Sequence, residues 1–312
     1  MASREKCLIV GSGCAGLTAG IYAARSGLEP LIIGGLVPGG QLMLTSDVEN
    51  FPGFEKPVVG PDLMENMRRQ AARLGVRFLN DQIEKVDFKR HPFAVQTSDG
   101  KDFDALTLIV ATGANAKWLG LPSEGKYRGK GVSACAVCDG FFFKGKELVV
   151  VGGGDTAMEE ATFLTQFASG VTVVHRRDKL RASSAMEEKA RHNPKISFMW
   201  DSAVEEVLGD DLVTGVRLKN LKTGKAQNVP CGGLFIAIGH EPATSFLKGH
   251  LPLNDKGYIQ VLEGSWVKTS AGGVFAAGDC VDFRYRQAVT AAGFGCMAAM
   301  EARWWLEEKN LL

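Results

Sequence analysis

The sequence predicts an α/β chain built from two copies of one nucleotide-binding plan. Three observations carry that prediction. A glycine-rich turn follows a short apolar strand and opens a helix twice, at residues 11–16 and 152–157. Each turn is followed further along by a buried apolar run ending in Ala-x-Gly, at Ala111-Thr112-Gly113 and Ala237-Ile238-Gly239. The length, 312 residues, suits two domains that each bury their own core.

Taken in order, Lys6-Cys7-Leu8-Ile9-Val10 reads as a buried strand. Gly11-Ser12-Gly13-Cys14-Ala15-Gly16 follows, then helical sequence from Leu17 to about Ser26, ended by Gly27, and the next strand at Pro30-Leu31-Ile32-Ile33. In a dinucleotide fingerprint the first glycine makes the turn. The second lets backbone approach a pyrophosphate, and the third lets helix pack on strand. The acidic residue expected for a ribose at the end of the second strand is missing, because that place reads Ile33-Gly34-Gly35. The ribose is therefore assigned to backbone of the loop from Gly34 to Gln41.

Asn50-Phe51-Pro52-Gly53 is a turn, and residues 62–74 have helical character with Asp62 as N-cap after Pro61. Residues 76–105 read as short strands and turns. Leu106-Thr107-Leu108-Ile109-Val110 is a buried strand whose carboxyl end carries Ala111-Thr112-Gly113, the kind of place where open α/β sheets bind ligands.

Between the two halves of the plan lies Ser133-Ala134-Cys135-Ala136-Val137-Cys138-Asp139-Gly140. Cysteines three apart can close into a small disulfide and reopen, and one thiol of such a pair can ionise near neutral pH. No second cysteine pair exists to complete a zinc site, so no metal is expected. Two readings stand for Asp139: a proton donor and acceptor for the pair, or a turn residue before Gly140.

The second fingerprint, Gly152-Gly153-Gly154-Asp155-Thr156-Ala157, follows the strand at 147–151. Its next strand, at 171–174, ends in His175-Arg176-Arg177, with Arg181 one turn on. Where an NAD site would place an acid, this site places cations. A 2′-phosphate needs charge-assisted donors there, which points to NADPH, against the plainer reading of a solvated basic patch. Two nucleotide cofactors are implied. The tail, Gly273-Val274-Phe275-Ala276-Ala277-Gly278-Asp279, is a further strand, and Arg286-Gln287-Ala288 begins a long helix to Glu308. Small residues at 291–293 and 295 permit close packing, and Trp304 and Trp305 read as core or dimer contacts.

Composition excludes several classes. A formal net charge of +1 gives no electrostatic case for nucleic acid or an anionic membrane. No apolar run is long enough to span a bilayer, and Met1-Ala2-Ser3-Arg4 shows no secretory signal. Seven cysteines, odd in number and scattered, fit a reducing cytoplasmic compartment with five structural thiols and one functional pair.

On these residues the chain resembles the low-molecular-weight thioredoxin reductases, two-domain pyridine nucleotide-disulfide oxidoreductases. The matching pieces are residues 11–16, Gly39-Gly40-Gln41, Val48-Glu49-Asn50, 111–114, 135–143, 152–157, 175–177, Gly278-Asp279 and 286–288. The resemblance implies two Rossmann-like three-layer ββα domains, with an NADPH domain (116–243) inserted into a discontinuous FAD domain (1–115 and 244–312). For FAD it implies Gly11, Ser12, Gly13, Ala15, Gly16, Gly34, Gly35, Gly40, Gln41, Asn50, Ala111, Thr112, Gly113, Gly278, Asp279, Arg286, Gln287 and Ala288. For NADPH it implies Gly152, Gly154, Asp155, Thr156, His175, Arg176, Arg177, Arg181, Ile238 and Gly239. Hydride would pass from NADPH to FAD and then to Cys135–Cys138, with Cys138 facing the flavin, Cys135 exchanging with thioredoxin, and Asp139 as general acid and base.

A homodimer follows from the same resemblance. The redox pair and the NADPH turn share one domain and must meet one flavin, so the inserted domain should swing on its two crossings. The run Phe141-Phe142-Phe143 has two readings, thioredoxin docking or core packing. Three residues depart from the family's habit: Cys14 for proline, Val137 for threonine and Asp155 for asparagine. Asp155 sets a carboxylate beside a pyrophosphate site, which should weaken NADPH binding. Competing functions are a peroxidase-linked flavoprotein reductase, a flavin oxidase that makes disulfides, and a non-catalytic redox or NADPH-sensing module.

Overall fold

The computed structural model describes residues 2–36, 38–45 and 47–312. The chain divides into two compact units, Met1–Asn115 with Glu241–Leu312, and Ala116–His240. The return crossing thus falls three residues before the 243/244 boundary expected from sequence.

Unit 1 begins with strand β1 (Ser3–Val10), helix α1 (Cys14–Arg25) and strand β2 (Leu31–Ile33). β1 is apolar throughout its second half because both its faces are covered. Cys7 and Ile9 enter one core cluster, and Leu8 and Val10 the other. Helix α1 starts at Cys14, three residues before the expected start, directly on the glycine turn. Gly27, in the left-handed region at φ 74°, ends the turn that follows it.

A short antiparallel pair, β3 (Asp47–Val48) and β4 (Val58–Val59), precedes helix α2 (Gly60–Arg73). Asp62 is not the N-cap. Pro61 sits in the first helical turn, where its fixed φ and missing N–H cost nothing, so the helix starts earlier and Asp62 lies inside its first turn. Strands β5 (Arg77–Leu79), β6 (Ile83–Asp87), β7 (Phe93–Thr97) and β8 (Asp102–Val110) follow.

The chain leaves unit 1 within strand β9 (Ala114–Ala116). Unit 2 contains helix α3 (Pro122–Lys126), strand β10 (Val132–Ser133), the short helix α4 (Ala136–Asp139), strand β11 (Glu147–Val151), helix α5 (Asp155–Leu164), strand β12 (Gly170–Val174) and helix α6 (Ser184–Arg191). Strands β13 (Ile196–Met199), β14 (Ser202–Gly209), β15 (Val213–Asn220), β16 (Ala226–Pro230) and β17 (Gly233–Ile236) complete it. Its parallel sheet has the order β10-β17-β11-β12-β13, beside an antiparallel sheet β14-β15-β16. Leu148 and Val150 of β11 face one core cluster and Val149 the other.

The chain returns within strand β18 (His240–Pro242) and ends with strand β19 (Val274–Ala276) and helix α7 (Ala288–Glu308). The main sheet of unit 1 runs β5-β2-β1-β8-β7-β6, with β19 paired to the second half of β8. Helix α7 lies against α1. A Cβ at Gly295 would stand 2.1 Å from the Ala15 carbonyl oxygen, so only glycine allows that approach. Trp305 packs on His91, with ring centres 5.4 Å apart, while Trp304 is exposed and belongs to no core cluster.

Candidate active site

In unit 1 the fingerprint turn is built as its spacing requires. Gly11 has φ 110°, and a Cβ there would meet the Ala111 carbonyl oxygen at 2.2 Å. A Cβ at Gly16 would meet the Gly11 carbonyl oxygen at 1.9 Å, but one at Gly13 would meet nothing within 4 Å. Two glycines are therefore fixed by packing, and the middle one borders open space at the start of α1. That is the cradle a dinucleotide pyrophosphate needs.

Pairing of β19 with β8 sets Ala276 opposite Val110, and the Ala277 N–H reaches the Val110 carbonyl at 2.8 Å. This register carries Gly278-Asp279 alongside Ala111-Thr112-Gly113. A Cβ at Gly278 would stand 2.9 Å from Ala15, so both segments gather at the head of α1. Thr112 Oγ1 and Asp279 Oδ1 are buried here without a hydrogen-bond partner among the described residues. Burial pushes the Asp279 carboxyl up to about 7, with Asp282 acting in the same direction. Buried polar atoms are normally satisfied, so these two orphans fit a polar ligand such as a flavin nucleotide.

The other FAD candidates of unit 1 are close together. Ser12 Oγ donates to the Gly34 carbonyl at 2.9 Å and accepts the Gly39 N–H at 3.0 Å. Its hydroxyl thus ties the fingerprint to the loop expected to hold the ribose. Val37, within that loop, lies outside the described residues. Gly35 donates its N–H to the Asp81 carbonyl, and a Cβ at Gly40 would stand 3.2 Å from Gly13. Gln41 Nε2 donates to Asn115 Oδ1, and Asn50 Nδ2 to Gln287 Oε1. Gln287 caps α7 through a reciprocal pair with Thr290, so the helix begins at Ala288, with Arg286 outside it at φ 49°.

Unit 2 repeats the plan. Gly152 has its would-be Cβ 2.4 Å from the Ala237 carbonyl oxygen and 2.6 Å from Ala157, while Gly154 again borders open space. Ile238 and Gly239 continue from Ala237 past the sheet, and Thr156 is the second residue of α5. Arg176, Arg177 and Arg181 are exposed, and none takes part in an ion pair with a described residue. Their uncompensated charge fits a phosphate monoester. His175 corrects the sequence reading of a four-residue cationic cluster. It is buried, and a Cβ at Gly153 would stand 2.2 Å from its ring. Burial first, then the Arg181 and Arg177 charges, hold its pKa below the usual histidine range.

Cys135 and Cys138 are joined by a disulfide at the start of α4, with Cα atoms 5.3 Å apart. Cys7, Cys14, Cys231, Cys280 and Cys296 are free. Burial pushes Cys7 and Cys14 up to about 12 and Cys231 and Cys280 up to about 11, which makes these four poor nucleophiles at neutral pH. Cys14 fills a packing position, with its Sγ 3.7 Å from Met64 Sδ. The Asp139 carboxyl is held above the usual carboxylate range by burial, partly opposed by a hydrogen bond from Ser133. Ser133 Oγ lies 2.5 Å from Asp139 Oδ2 and also accepts the Cys135 N–H at 3.0 Å.

The aromatic run beside the pair splits. Phe141 is 58% exposed and Phe142 41%, whereas Phe143 is buried against Phe235. The two readings of the run thus divide between its residues: Phe143 is core, while Phe141 and Phe142 are exposed. Phe167 and Phe163 back Phe141 in a chain of edge-on ring contacts.

A profile of the pyridine nucleotide-disulphide oxidoreductases matches residues 5–295. The chain belongs to this family. It is 52% identical to a thioredoxin reductase of Rickettsia felis over 306 residues, covering 97% of this chain and 98% of the relative. A thioredoxin reductase of Streptomyces coelicolor is also 52% identical, over 97% and 94% of the two chains. Among solved structures, a thioredoxin reductase from Giardia duodenalis superposes with a TM-score of 0.94 at 46% identity, over 98% of this chain and 99% of that one.

Within this oxidoreductase, two residues are important in the geometry that sequence reasoning did not single out. Ser133 touches both the redox pair and Asp139, and its only signal in the sequence is a hydroxyl residue two positions before the first cysteine. Ser183 holds Asp155, from a position 28 residues away, which no local pattern could announce.

Proposed function

We propose that the chain is an NADPH-dependent thioredoxin-disulfide reductase that uses FAD. The observation that carries the reading is the Cys135–Cys138 disulfide with a half-buried carboxyl beside it, in the same unit as a nucleotide turn rimmed by arginines that pair with no described acid. Relatives at 52% identity over nearly the whole chain bear the same name.

Gly11, Ser12, Gly13, Ala15, Gly16, Gly34, Gly35, Gly40, Gln41, Asn50, Ala111, Thr112, Gly113, Gly278, Asp279, Arg286, Gln287 and Ala288 would hold FAD. Gly152, Gly154, Asp155, Thr156, His175, Arg176, Arg177, Arg181, Ile238 and Gly239 would hold NADPH. Bound FAD supplies a two-electron carrier between NADPH and a disulfide. The orphaned Thr112 and Asp279 oxygens and the open edge at Gly13 support the first assignment, and the open edge at Gly154 with the arginines supports the second.

The chain's own part is thiol–disulfide exchange. Two electrons and two protons convert Cys135–Cys138 to a dithiol. The Cys135 thiol gives its proton to the Asp139 carboxylate and attacks the thioredoxin disulfide as a thiolate, and one thioredoxin sulfur leaves as a thiolate that takes that proton from the Asp139 carboxyl. Cys138 then attacks Cys135 in the mixed disulfide, its proton passing to the departing second thioredoxin sulfur, which restores the Cys135–Cys138 disulfide and releases reduced thioredoxin. Phe141 and Phe142 form the apolar surface on which thioredoxin docks. The redox pair and the NADPH turn belong to unit 2 while the flavin residues belong to unit 1, so the two sites of unit 2 serve the flavin in turn.

No described helix is long and apolar enough to cross a membrane. Four buried free thiols agree with a reducing, cytoplasmic setting, and exposed Trp266, Met300 and Trp304 on unit 1 agree with a homodimer. The test is spectroscopic. Purified protein should carry flavin absorbance, bleached by NADPH and restored by oxidised thioredoxin. Protein that bleaches with NADPH and is never reoxidised by any thioredoxin overturns the reading in favour of another disulfide partner.

A further inference from the structure

We propose that Ser133 is a positioning residue that holds the Asp139 carboxyl in place beside the Cys135–Cys138 disulfide through the exchange step. The proposal rests on the reductase reading above. Ser133 is the buried last residue of β10, paired in parallel register with Phe235 of β17. The adjoining backbone is pinned as well, because the Leu234 N–H reaches the Gly131 carbonyl at 2.8 Å. The hydroxyl therefore stands on a fixed strand, while the residues it contacts lie on a four-residue helix that must accommodate both the bonded and the opened disulfide.

One hydroxyl has one proton. The hydroxyl accepts the Cys135 N–H at 3.0 Å, and of the two acceptors within its reach, Asp139 Oδ2 at 2.5 Å and the Cys135 carbonyl oxygen at 3.5 Å, the carboxylate oxygen is much the nearer. The Asp139 N–H in turn donates to the Cys135 carbonyl at 3.1 Å, and the Cys138 N–H lies 3.3 Å from Cys135 Sγ. Ser133 thus closes a loop of contacts between the backbone of the first cysteine and the carboxyl that follows the second. When the Asp139 O–H passes its proton to a departing thiolate, a thiol and a carboxylate result. The Ser133 O–H is already aimed at that carboxylate, and a donor that favours the ionised form is present before the charge appears.

No charged neighbour within unit 2 performs this task. The strands β10 and β17 carry no titratable side chain. Helix α5, packed on α4, brings Asp155, Glu159 and Glu160, and the segment after Phe143 brings Lys144 and Lys146. Burial raises the Asp139 carboxyl, and the Ser133 hydrogen bond opposes that rise.

The experiment uses the complete flavoprotein, reduced with NADPH and mixed rapidly with oxidised thioredoxin, from about pH 5 to about pH 9, the range in which a general acid of this kind titrates. Removing the hydroxyl in Ser133→Ala should slow exchange about tenfold near neutral pH, since a hydrogen bond to a charged group is lost. It should also move the limb of the profile that disappears in Asp139→Asn upward by about one pH unit. Ser133→Thr should restore both. Ser133→Val, equal in shape to the threonine variant, should behave like the alanine variant. The carboxyl stretching band of Asp139, identified by its loss in Asp139→Asn, should persist to higher pH in Ser133→Ala.

Added to Asp139→Asn, the Ser133→Ala change should slow exchange no further. A full additional loss in that background, or slower exchange with an unmoved limb and band, overturns the proposal. Wild-type exchange rates in Asp139→Asn overturn it too, while leaving the reductase reading intact. A wild-type protein that never reduces thioredoxin overturns the reading itself.

Discussion

The Asp155 carboxylate accepts both the backbone N–H and the hydroxyl of Ser183, through one oxygen, at 2.7 and 2.9 Å. Ser183 is the N-cap residue of α6, and Asp155 is the first residue of α5. One acid therefore joins the starts of two helices, where the backbone dipoles of each favour negative charge. The sequence places this carboxylate beside a phosphate site, which by itself predicts repulsion. The structure supplies two donors that hold it to Ser183.

Removing the charge should therefore help NADPH only modestly, and removing the donor should hurt. Asp155→Asn is expected to lower the dissociation constant for NADPH about twofold to fivefold, the usual scale for one exposed charge. Ser183→Ala should raise it by a similar factor at low salt and less at high salt. Calorimetric titration decides. Equal weakening by both substitutions would mean that the Asp155 carboxylate itself contributes to binding.

The three fingerprint glycines of unit 1 should separate folding from cofactor binding. Gly13 is extended, at φ −73° and ψ −173°, a conformation open to any residue, and its Cβ would be unopposed. Gly13→Ala should keep the apoprotein's thermal midpoint within a degree or two but lower retained flavin several-fold. Gly11→Ala must place a Cβ 2.2 Å from the Ala111 carbonyl at φ 110°, and should destabilise the unit by about 2 kcal/mol or more. Purification yield of flavin and calorimetric melting are the two readouts. A Gly13→Ala protein with full flavin content would remove the cradle assignment.

What the sequence disclosed follows from how local each signal is. The glycine turns were legible because strand, turn and helix are contiguous, and Gly11 and Gly152 need φ values that few other residues take. The N-cap is Val59, three residues before the expected Asp62, because Pro61 can sit either before the helix or inside its first turn. His175 read as one more cation because charge is visible in sequence and burial is not. Phe143 could not be told from its neighbours for the same reason: in a tight turn of three like residues, only the packing partner, here Phe235, decides which ring goes inside. Ser133 and Ser183 were silent because each acts through a tertiary hydrogen bond with no periodicity.

Exposed aromatic rings in a small polar setting are a docking signature, and here they lie directly after the redox pair. Phe142→Ala should raise the apparent KM for thioredoxin about tenfold, consistent with the loss of one interfacial aromatic anchor. NADPH-driven bleaching should be unchanged, because the ring belongs to neither nucleotide turn. Phe143→Ala should instead lower stability by about 3 kcal/mol by opening a cavity against Phe235. Steady-state kinetics with varied thioredoxin, together with melting curves, tell the two apart. An unchanged KM in Phe142→Ala would exclude that ring from the docking surface.

Asp279 should leave a pH signature on the apoprotein. An ordinary aspartate has a pKa of 3.8, and burial raises this one to about 7 in the folded unit. Below pH 3.8 the carboxyl is protonated in both folded and unfolded chains, and its contribution to stability is fully present. Between the two values the unfolded chain releases the proton and the folded chain keeps it. The folded state then binds more protons, so stability falls as pH rises, and the loss is complete once the pH has passed about 7. The expected fall for this one group is on the order of 4 kcal/mol. Asp279→Asn, which keeps the size and removes the titration, should lack this component. The measurement is urea unfolding of flavin-free wild type and variant at matched pH values across that window. Parallel stability curves for the two proteins would show that the carboxyl is solvated in the apoprotein, and would withdraw the orphaned Oδ1 as support for a buried polar ligand.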